Sequence, residues 1–372
     1  MTKDKSIFIR NIYYMLAYAF QSLRPDEEKE IEAEDFENIH DLFACILAKG
    51  ISLQLKQGLY REYVSCRDDL PVMHGKIDIS GTMKNLAGSR RMLSCEYDEY
   101  SEDNRMNQIL KLCASLLLKC PDVKQEYRSE LKRELLFFSG VRMIQPGEIR
   151  WPAIHFHRNN QNYRTLLSIC QLLLEGMLLT TDSGEMRLAS FIDDQRMSHL
   201  YEKFILEYYI REHPELKTRS AQIPWALDDG AGTLLPAMQS DVMLENPKNG
   251  RVLIIDAKYY SHTLASSPYG QQTIHSANLY QIFTYVKNEQ ARRSAAAGSV
   301  QGVAGTSSGN SVSGMLLYVK TEEELVPDNE YRMSGNRISV RTLDLGQKFS
   351  EVRRQLDQIA AVLNASDNNR MQ

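Results

Sequence analysis

Residues 251–260, RVLIIDAKYY, constrain the fold of this chain more than any other stretch. Val252, Leu253, Ile254 and Ile255 are apolar at successive positions. A strand here is therefore apolar on both faces and belongs in the middle of a sheet covered on both sides. Side chains alternate along a strand, so Asp256 and Lys258 share one face at its end. Charged groups at such a place are costly to bury without partners. The preceding segment, AMQSDVML, offers one. Asn246, Pro247, Lys248, Asn249 and Gly250 lie between the two, a run of turn formers that predicts a hairpin. Two registers are open. A turn centred between Lys248 and Asn249 pairs Asp241 with Asp256, whereas an Asn249-Gly250 turn pairs it with Lys258. Both place Asp241 on the face of Asp256 and Lys258. A turn centred on Asn249 itself would flip it over.

Two aspartates and a lysine on one face are the residue types that metal-assisted phosphodiester hydrolysis needs. Carboxylate oxygens suit Mg²⁺, which keeps waters that a phosphate can replace. The metal polarises the phosphodiester and lowers the pKa of a bound water. Asp241 and Asp256 are the candidate metal ligands, with the backbone carbonyl of Ala257 as a third. Lys258 is the candidate catalytic cation, orienting the attacking water or stabilising charge on phosphorus. The plain alternative is an ion pair between a strand lysine and two aspartates.

At 372 residues the chain has room for about two domains. The patterning predicts an α+β protein. Residues 1–190 read as a helical half, which the family resemblance given below implies is the partner-binding domain, with helices at about 7–22, 38–57, 104–120, 125–138 and 161–179. Short β-prone pieces (YREYVSC, KIDISGT, RRMLSCEYDEY) form a small β insert at about 58–100, and residues 25–34 an acidic connection. Residues 191–372 read as a mixed sheet flanked by helices. Helices are predicted at about 195–212, 274–288 and 346–364, and strands at 220–226, 236–244, 251–259, 313–320, 330–334 and 337–343. The Gly-, Ala- and Ser-rich stretch 289–313 is predicted to be a mobile loop.

With 43% hydrophobic and 25% charged residues the composition is that of a globular protein. No run of about 18 apolar residues occurs, so no membrane span is expected. The N-terminus lacks the pattern of a signal peptide, which predicts a cytoplasmic protein. Six cysteines, none in a C-x-x-C pair, read as reduced core thiols, and no zinc site is expected from their spacing. The net charge of −4 and pI of 6.1 predict weak DNA affinity, or affinity supplied by a partner. There is no P-loop and no G-x-S-x-G.

Secondary candidates surround the hairpin. Glu202, on the helix before the sheet, reads as a solvated charge paired with Lys203 or Arg211, unless the superfamily resemblance given below makes it a further metal ligand. Gln281 and Tyr285 share a helix face four residues apart. Gln281 either bonds a DNA phosphate or the attacking water, or merely satisfies backbone on a helix packed through Tyr280, Phe283 and Val286. His155 and His157 fall on one side of a predicted strand but lack further ligands. His275 is placed to cap the helix that follows, with Ser276. Lys76, Lys84, Arg90 and Arg91 give the β insert positive charge, for DNA, for a partner or for solvent.

The hairpin Asp…Asp-x-Lys resembles the PD-(D/E)xK nuclease superfamily. More specifically, IRNIYYMLAYAF, HGKIDISGT, EYDEYSEDNRMNQILK, LLPAMQSDVML, VLIIDAKYY and HSANLYQIFTYV resemble, in order, segments of the McrC family, the nuclease subunit of McrBC-type modification-dependent (5-methylcytosine) restriction systems. The resemblance implies a Mg²⁺-dependent DNA endonuclease in the C-terminal half, with Asp241, Asp256 and Lys258 matching the motif one by one. A glutamate such as Glu202 often helps hold metal in that superfamily. It also implies a McrB-like AAA+ GTPase hexamer as partner, which recognises the modified cytosine and whose pore the β insert would reach into. The rival expectations are a catalytically inactive regulator of an AAA+ motor and a stand-alone DNA repair nuclease.

Overall fold

A computed structural model describes residues 3–4, 7–19, 36, 38–158, 160, 162–176, 178–180, 186–188, 194–228, 232–260, 264–266, 272–298, 312–320 and 326–364, with backbone alone at 3–4, 7–9, 178–180, 186–188, 264–266 and 296–298. The predicted acidic connection lies outside the described residues, as does 299–311 of the predicted loop. The chain divides into two compact units, 40–190 and 1–39 with 191–372. One boundary falls between residues 190 and 191. The first 39 residues, however, join the C-terminal unit, because helix α1 (Ile9–Ala19) docks there. Asn11, buried, donates to the carbonyls of Leu345 and Gln347, each at 2.7 Å, and Tyr14 stacks on Phe349 with ring centroids 3.9 Å apart.

The 40–190 unit is helical. It holds α2 (Ile39–Gln57) and, after the insert, α4 (Arg105–Lys119), α5 (Gln125–Leu135) and α6 (Tyr163–Gly176). The core is Phe43, Leu47, Ile109, Cys113, Leu117, Leu131, Leu167 and Cys170, all buried. All six cysteines are free thiols, and five of them are buried. The insert is a three-stranded antiparallel sheet of β1 (Glu62–Leu70), β2 (Lys76–Ile77) and β3 (Leu93–Ser101), with β3 central. Its middle is not all β as expected: half of KIDISGT turns into α3 (Ile79–Ala87). The cause is Asp78, whose carboxylate accepts from the Ser80 and Gly81 N–H groups, both at 3.1 Å, and so starts a helix where alternation suggested a strand. The predicted strand around His155 and His157 is irregular chain after a short 3₁₀ turn, Trp151–Ala153.

The other unit is built on a six-stranded mixed sheet. Helix α7 (Asp194–Glu212) precedes β4 (Lys217–Arg219), β5 (Val242–Glu245), β6 (Val252–Lys258), β7 (Val312–Val319), β8 (Asn329–Met333) and β9 (Asn336–Leu343), in the spatial order β8-β9-β7-β6-β5-β4. Strands β6, β7 and β9 run parallel, and the other pairs are antiparallel. The apolar strand is therefore central, as its two-faced hydrophobicity predicts, and six of its seven residues are buried. Helix α8 (Ser276–Gly298) lies on the sheet through Ile282, Tyr285 and Val286, which pack with Val252, Ile254, Leu316 and Val340. Gly314 permits this approach: a Cβ there would stand 2.7 Å from Val286 and 2.8 Å from Ile282. Helix α9 (Phe349–Asn364) is tied to α7, since Tyr208 donates to Asp357 at 2.6 Å and Tyr209 to the Leu356 carbonyl at 3.0 Å.

Two expectations change here. Helix α8 runs ten residues past its predicted end, into the small-residue stretch. Alanines there cost a helix nothing. Arg292 and Arg293 both bond buried Glu289, and Arg293 also reaches Glu245 on β5 at 3.1 Å. The predicted strand 236–244 breaks at Ser240-Asp241, into Met238–Gln239, which pairs with Gln222–Ile223, and β5. Buried Ser240 bonds Ser220 and Ala221 at that break.

Candidate active site

Of the two hairpin registers the first is observed. Val242 faces Ile255 and Glu245 faces Val252, which sets Asp241, one step before β5, opposite Asp256. The turn explains the choice. Asn246 N–H donates to the Arg251 carbonyl at 2.9 Å, the Asn246 and Asn249 side chains accept from Lys248 and Arg251 N–H groups, and Gly250 takes the left-handed φ of +69° that closes the loop.

The break before Val242 leaves the Asp241 carboxylate able to turn along the neighbouring strand, where Oδ2 accepts from the Ala257 N–H at 2.8 Å. Asp256 is almost completely buried, and Lys258 Nζ lies 2.9 Å from its Oδ2. This is a charge contact without hydrogen-bond alignment, and neither Asp256 oxygen meets an aligned donor. Lys258 Nζ also donates to Gln281 Oε1 at 3.3 Å, and Gln281 Nε2 donates to the Tyr285 hydroxyl at 2.9 Å. Gln281 is thus in contact with the hairpin lysine and is not absorbed by backbone, and Tyr285, four residues on, reaches the lysine only through Gln281. Tyr280, expected to pack, is exposed instead.

The electrostatics are those of a cation-hungry site. Burial pushes Asp241 up to about 7, helped by the charges of Asp256 and Glu202 and opposed by the Ala257 N–H and by Lys258. Burial likewise raises Asp256, against the pull of Lys258. Burial alone would lower Lys258, but Asp256 and Asp241 hold it above its ordinary range. Glu202 Oε1 accepts from Ser198 at 3.2 Å, and its Oε2 lies 3.4 Å from His199 Nδ1. Its charge reaches both aspartates, although the three carboxylates do not come within 4.8 Å of one another. Three carboxylates against one lysine, all-oxygen donors, and Asp256 oxygens without aligned donors fit a hard divalent cation. Asp241 and Asp256 would hold it, with the Ala257 carbonyl beside them.

A further layer escaped sequence reasoning. Tyr260 donates to Asn278 Oδ1 at 3.3 Å, and Asn278 Nδ2 donates to the Tyr318 hydroxyl at 2.9 Å. The available signal was the spacing of Asn278, Gln281 and Tyr285 at i, i+3 and i+7. His275 sits just ahead of α8 as expected, but caps through its carbonyl, which accepts from Asn278 and Leu279, while its ring lies against Tyr260. His157 contacts the Tyr60 hydroxyl at 3.1 Å, far along the chain from the hairpin.

An α+β protein with a carboxylate–lysine site at the end of a central strand is the class these features define. Within it, the sequence profile of the McrBC 5-methylcytosine restriction system component family matches residues 3–296, and the chain belongs to that family. It is 25% identical over 352 residues to the Type IV methyl-directed restriction enzyme EcoKMcrBC of Escherichia coli strain K12, covering 94% of this chain and 95% of that protein. Among solved structures it is similar to a chain of a Thermococcus gammatolerans assembly of McrB AAA+ hexamers with bound McrC, with a TM-score of 0.51 and 19% identity over 94% of this chain and 76% of that one. Among the described residues no helix is long and apolar enough to cross a membrane.

Proposed function

We propose that the chain is a Mg²⁺-dependent DNA endonuclease of the PD-(D/E)xK type, the cutting subunit of a modification-dependent restriction complex. An AAA+ GTPase hexamer, whose hydrolysis it stimulates, would drive it. The observation that carries this reading is the meeting of Asp241, Asp256 and Lys258 at the end of β6, with two carboxylates and an ammonium within bonding reach of one strand end. A bound divalent ion supplies charge for the phosphodiester and a water of lowered pKa. Lys258, held protonated by the aspartates, presents its ammonium to the attacking water or to the charge developing on phosphorus. Gln281 restrains Lys258, and Tyr285 restrains Gln281. The name of the Escherichia coli relative supports methyl-directed cutting.

A motor partner is supported by the Thermococcus assembly and by the insert. Ile79, Met83 and Leu86 fall at i, i+4 and i+7 on α3 and are all exposed, with Val72 and Met73 exposed beside β2. An apolar helix face turned to solvent is the mark of a contact surface. The deciding experiment pairs the chain with its motor, methylated DNA, GTP and Mg²⁺. Lys258→Ala is expected to slow cutting by about 10²–10³-fold while leaving stimulation of hydrolysis intact. Undiminished cutting would rule out this site.

A further inference from the structure

We propose that His40, Cys120 and Asp122 form a binding site for a zinc-class divalent ion in the 40–190 unit, separate from the hairpin site. Cys120 and Asp122 lie 80 and 82 positions after His40, so no Cys or His spacing reveals them. His40 lies in the first turn of α2, and Cys120 and Asp122 follow the last turn of α4. One ligand atom from each lies within 4.8 Å of the others. His40 and Cys120 are buried, and Asp122 sits at the surface, where an ion can enter.

The distances favour a shared ion over a simple contact. His40 Nδ1 and Asp122 Oδ2 are 3.7 Å apart, beyond hydrogen-bond range but close to the separation of about 3.4 Å that two such ligands of one tetrahedral ion span. Donor chemistry agrees. A thiolate and a carboxylate neutralise a divalent charge, a neutral imidazole adds a third donor, and nitrogen with sulfur selects zinc over magnesium. The turn is fixed in advance. Cys120 ends the helix in an extended conformation, and Arg128 donates to the Cys120 and Pro121 carbonyls at 2.7 and 2.8 Å. Those carbonyls are thereby occupied, which leaves the fourth position of the ion to water. The Lys124 N–H donates to Asp41, the neighbour of His40, at 2.8 Å, so the two ligand-bearing ends are already clamped together. A thiol ligates a metal as the thiolate, so the ion displaces a proton and binds better as pH rises. Its consequence is a staple between α2 and α4 that stabilises the unit by mass action.

Cobalt distinguishes this site from the hairpin, because thiolate-to-Co²⁺ charge-transfer absorption requires a cysteine ligand and the hairpin site has none. The full chain, stripped with chelator and titrated with Co²⁺, is expected to develop that band at one equivalent and to lose it when Zn²⁺ is added. Cys120→Ser abolishes it. Asp122→Asn, at an exposed position that folding tolerates, weakens it by at least the roughly 10–100-fold typical of losing even an outer partner of a site. Zn²⁺ raises the melting temperature of the parent protein but not of Asp122→Asn. A parent protein without the band, or a band indifferent to both Asp122→Asn and His40→Gln, overturns the proposal. Should Cys120→Ser fail to fold, Asp122→Asn decides alone.

Discussion

Asp241 reaches past the residue opposite it. Its carboxylate accepts from the Ala257 N–H at 2.8 Å, while Asp256, its cross-strand neighbour, is in contact with Lys258 at 2.9 Å. The two aspartates are thus anchored by different kinds of partner, one by a neutral amide and one by an ammonium. A neutral amide compensates buried charge less than an ammonium does, so Asp241 is the carboxylate that holds a proton near neutrality.

That proton has a visible effect on stability. The folded-state value of Asp241, about 7, lies above its ordinary 3.8, so the folded state binds more protons than the unfolded chain between those limits. Stability present below about pH 4 is therefore lost as pH rises to about 7. Melting curves in chelator should show this decline in the parent protein and a flatter profile in Asp241→Asn. Mg²⁺ should restore stability above pH 7, where the carboxylate is free to bind it. Superimposable profiles for the two proteins would refute the assignment.

Lys258→Ala should lower the cleavage rate by about 10²–10³, the usual effect of removing one preorganised charge partner of a transition state. Gln281→Leu and Tyr285→Phe act at one and two removes. Each hydrogen bond is worth about 0.5–1.5 kcal/mol, so Tyr285→Phe should slow cutting by about 2–10-fold with DNA affinity unchanged. Single-turnover cleavage compared with filter binding separates the two. A loss confined to affinity would mean that Tyr285 does not position the lysine.

The exposed face of α3 should be needed for the motor and dispensable for folding. Ile79→Asp with Met83→Asp removes no buried contact, so stability should stay within about 0.5 kcal/mol of the parent. Stimulation of the partner's hydrolysis should disappear. A double variant that still stimulates fully would move the contact surface elsewhere.

The far end of α8 rests on Arg293, which bridges Glu289 and Glu245 at 2.7 and 3.1 Å. Burial alone would raise both carboxylates. Arg292 and Arg293 hold Glu289, and Arg293 and Arg219 hold Glu245, below the usual range. These groups contribute stability above their ordinary 4.5 that is lost as pH falls. Arg293→Met should cost about 2 kcal/mol by urea unfolding at pH 7 and much less near pH 3, where the carboxylates are neutral. An equal cost at both values would point to packing instead.

The site was legible where its causes are local. Four apolar residues before Asp256 declare a central strand, and two of the three turns that the run from Asn246 to Gly250 allows put Asp241 on the face of Asp256 and Lys258. The choice between registers was not legible, because it rests on how Asn246 and Asn249 bond the loop backbone. KIDISGT misled since one side chain, Asp78, outweighs the alternation of its neighbours. Small residues after Glu289 look like a loop until the arginines find Glu245 on another element. The docking of α1 depends on Asn11 meeting carbonyls more than 330 residues away, which no local pattern encodes. Glu202 falls between these cases: its helix was predictable, its partners Ser198 and His199 were not.

Gly314 gives the hairpin site a tuning point that carries no functional group. Helix α8 brings Gln281 to Lys258 only as closely as β7 lets Ile282 and Val286 settle. The missing methyl at 314 thus acts as a shim of zero thickness. Alanine and then valine at that position would prise the helix away in graded steps and detach the amide from the ammonium, with every charged residue left in place.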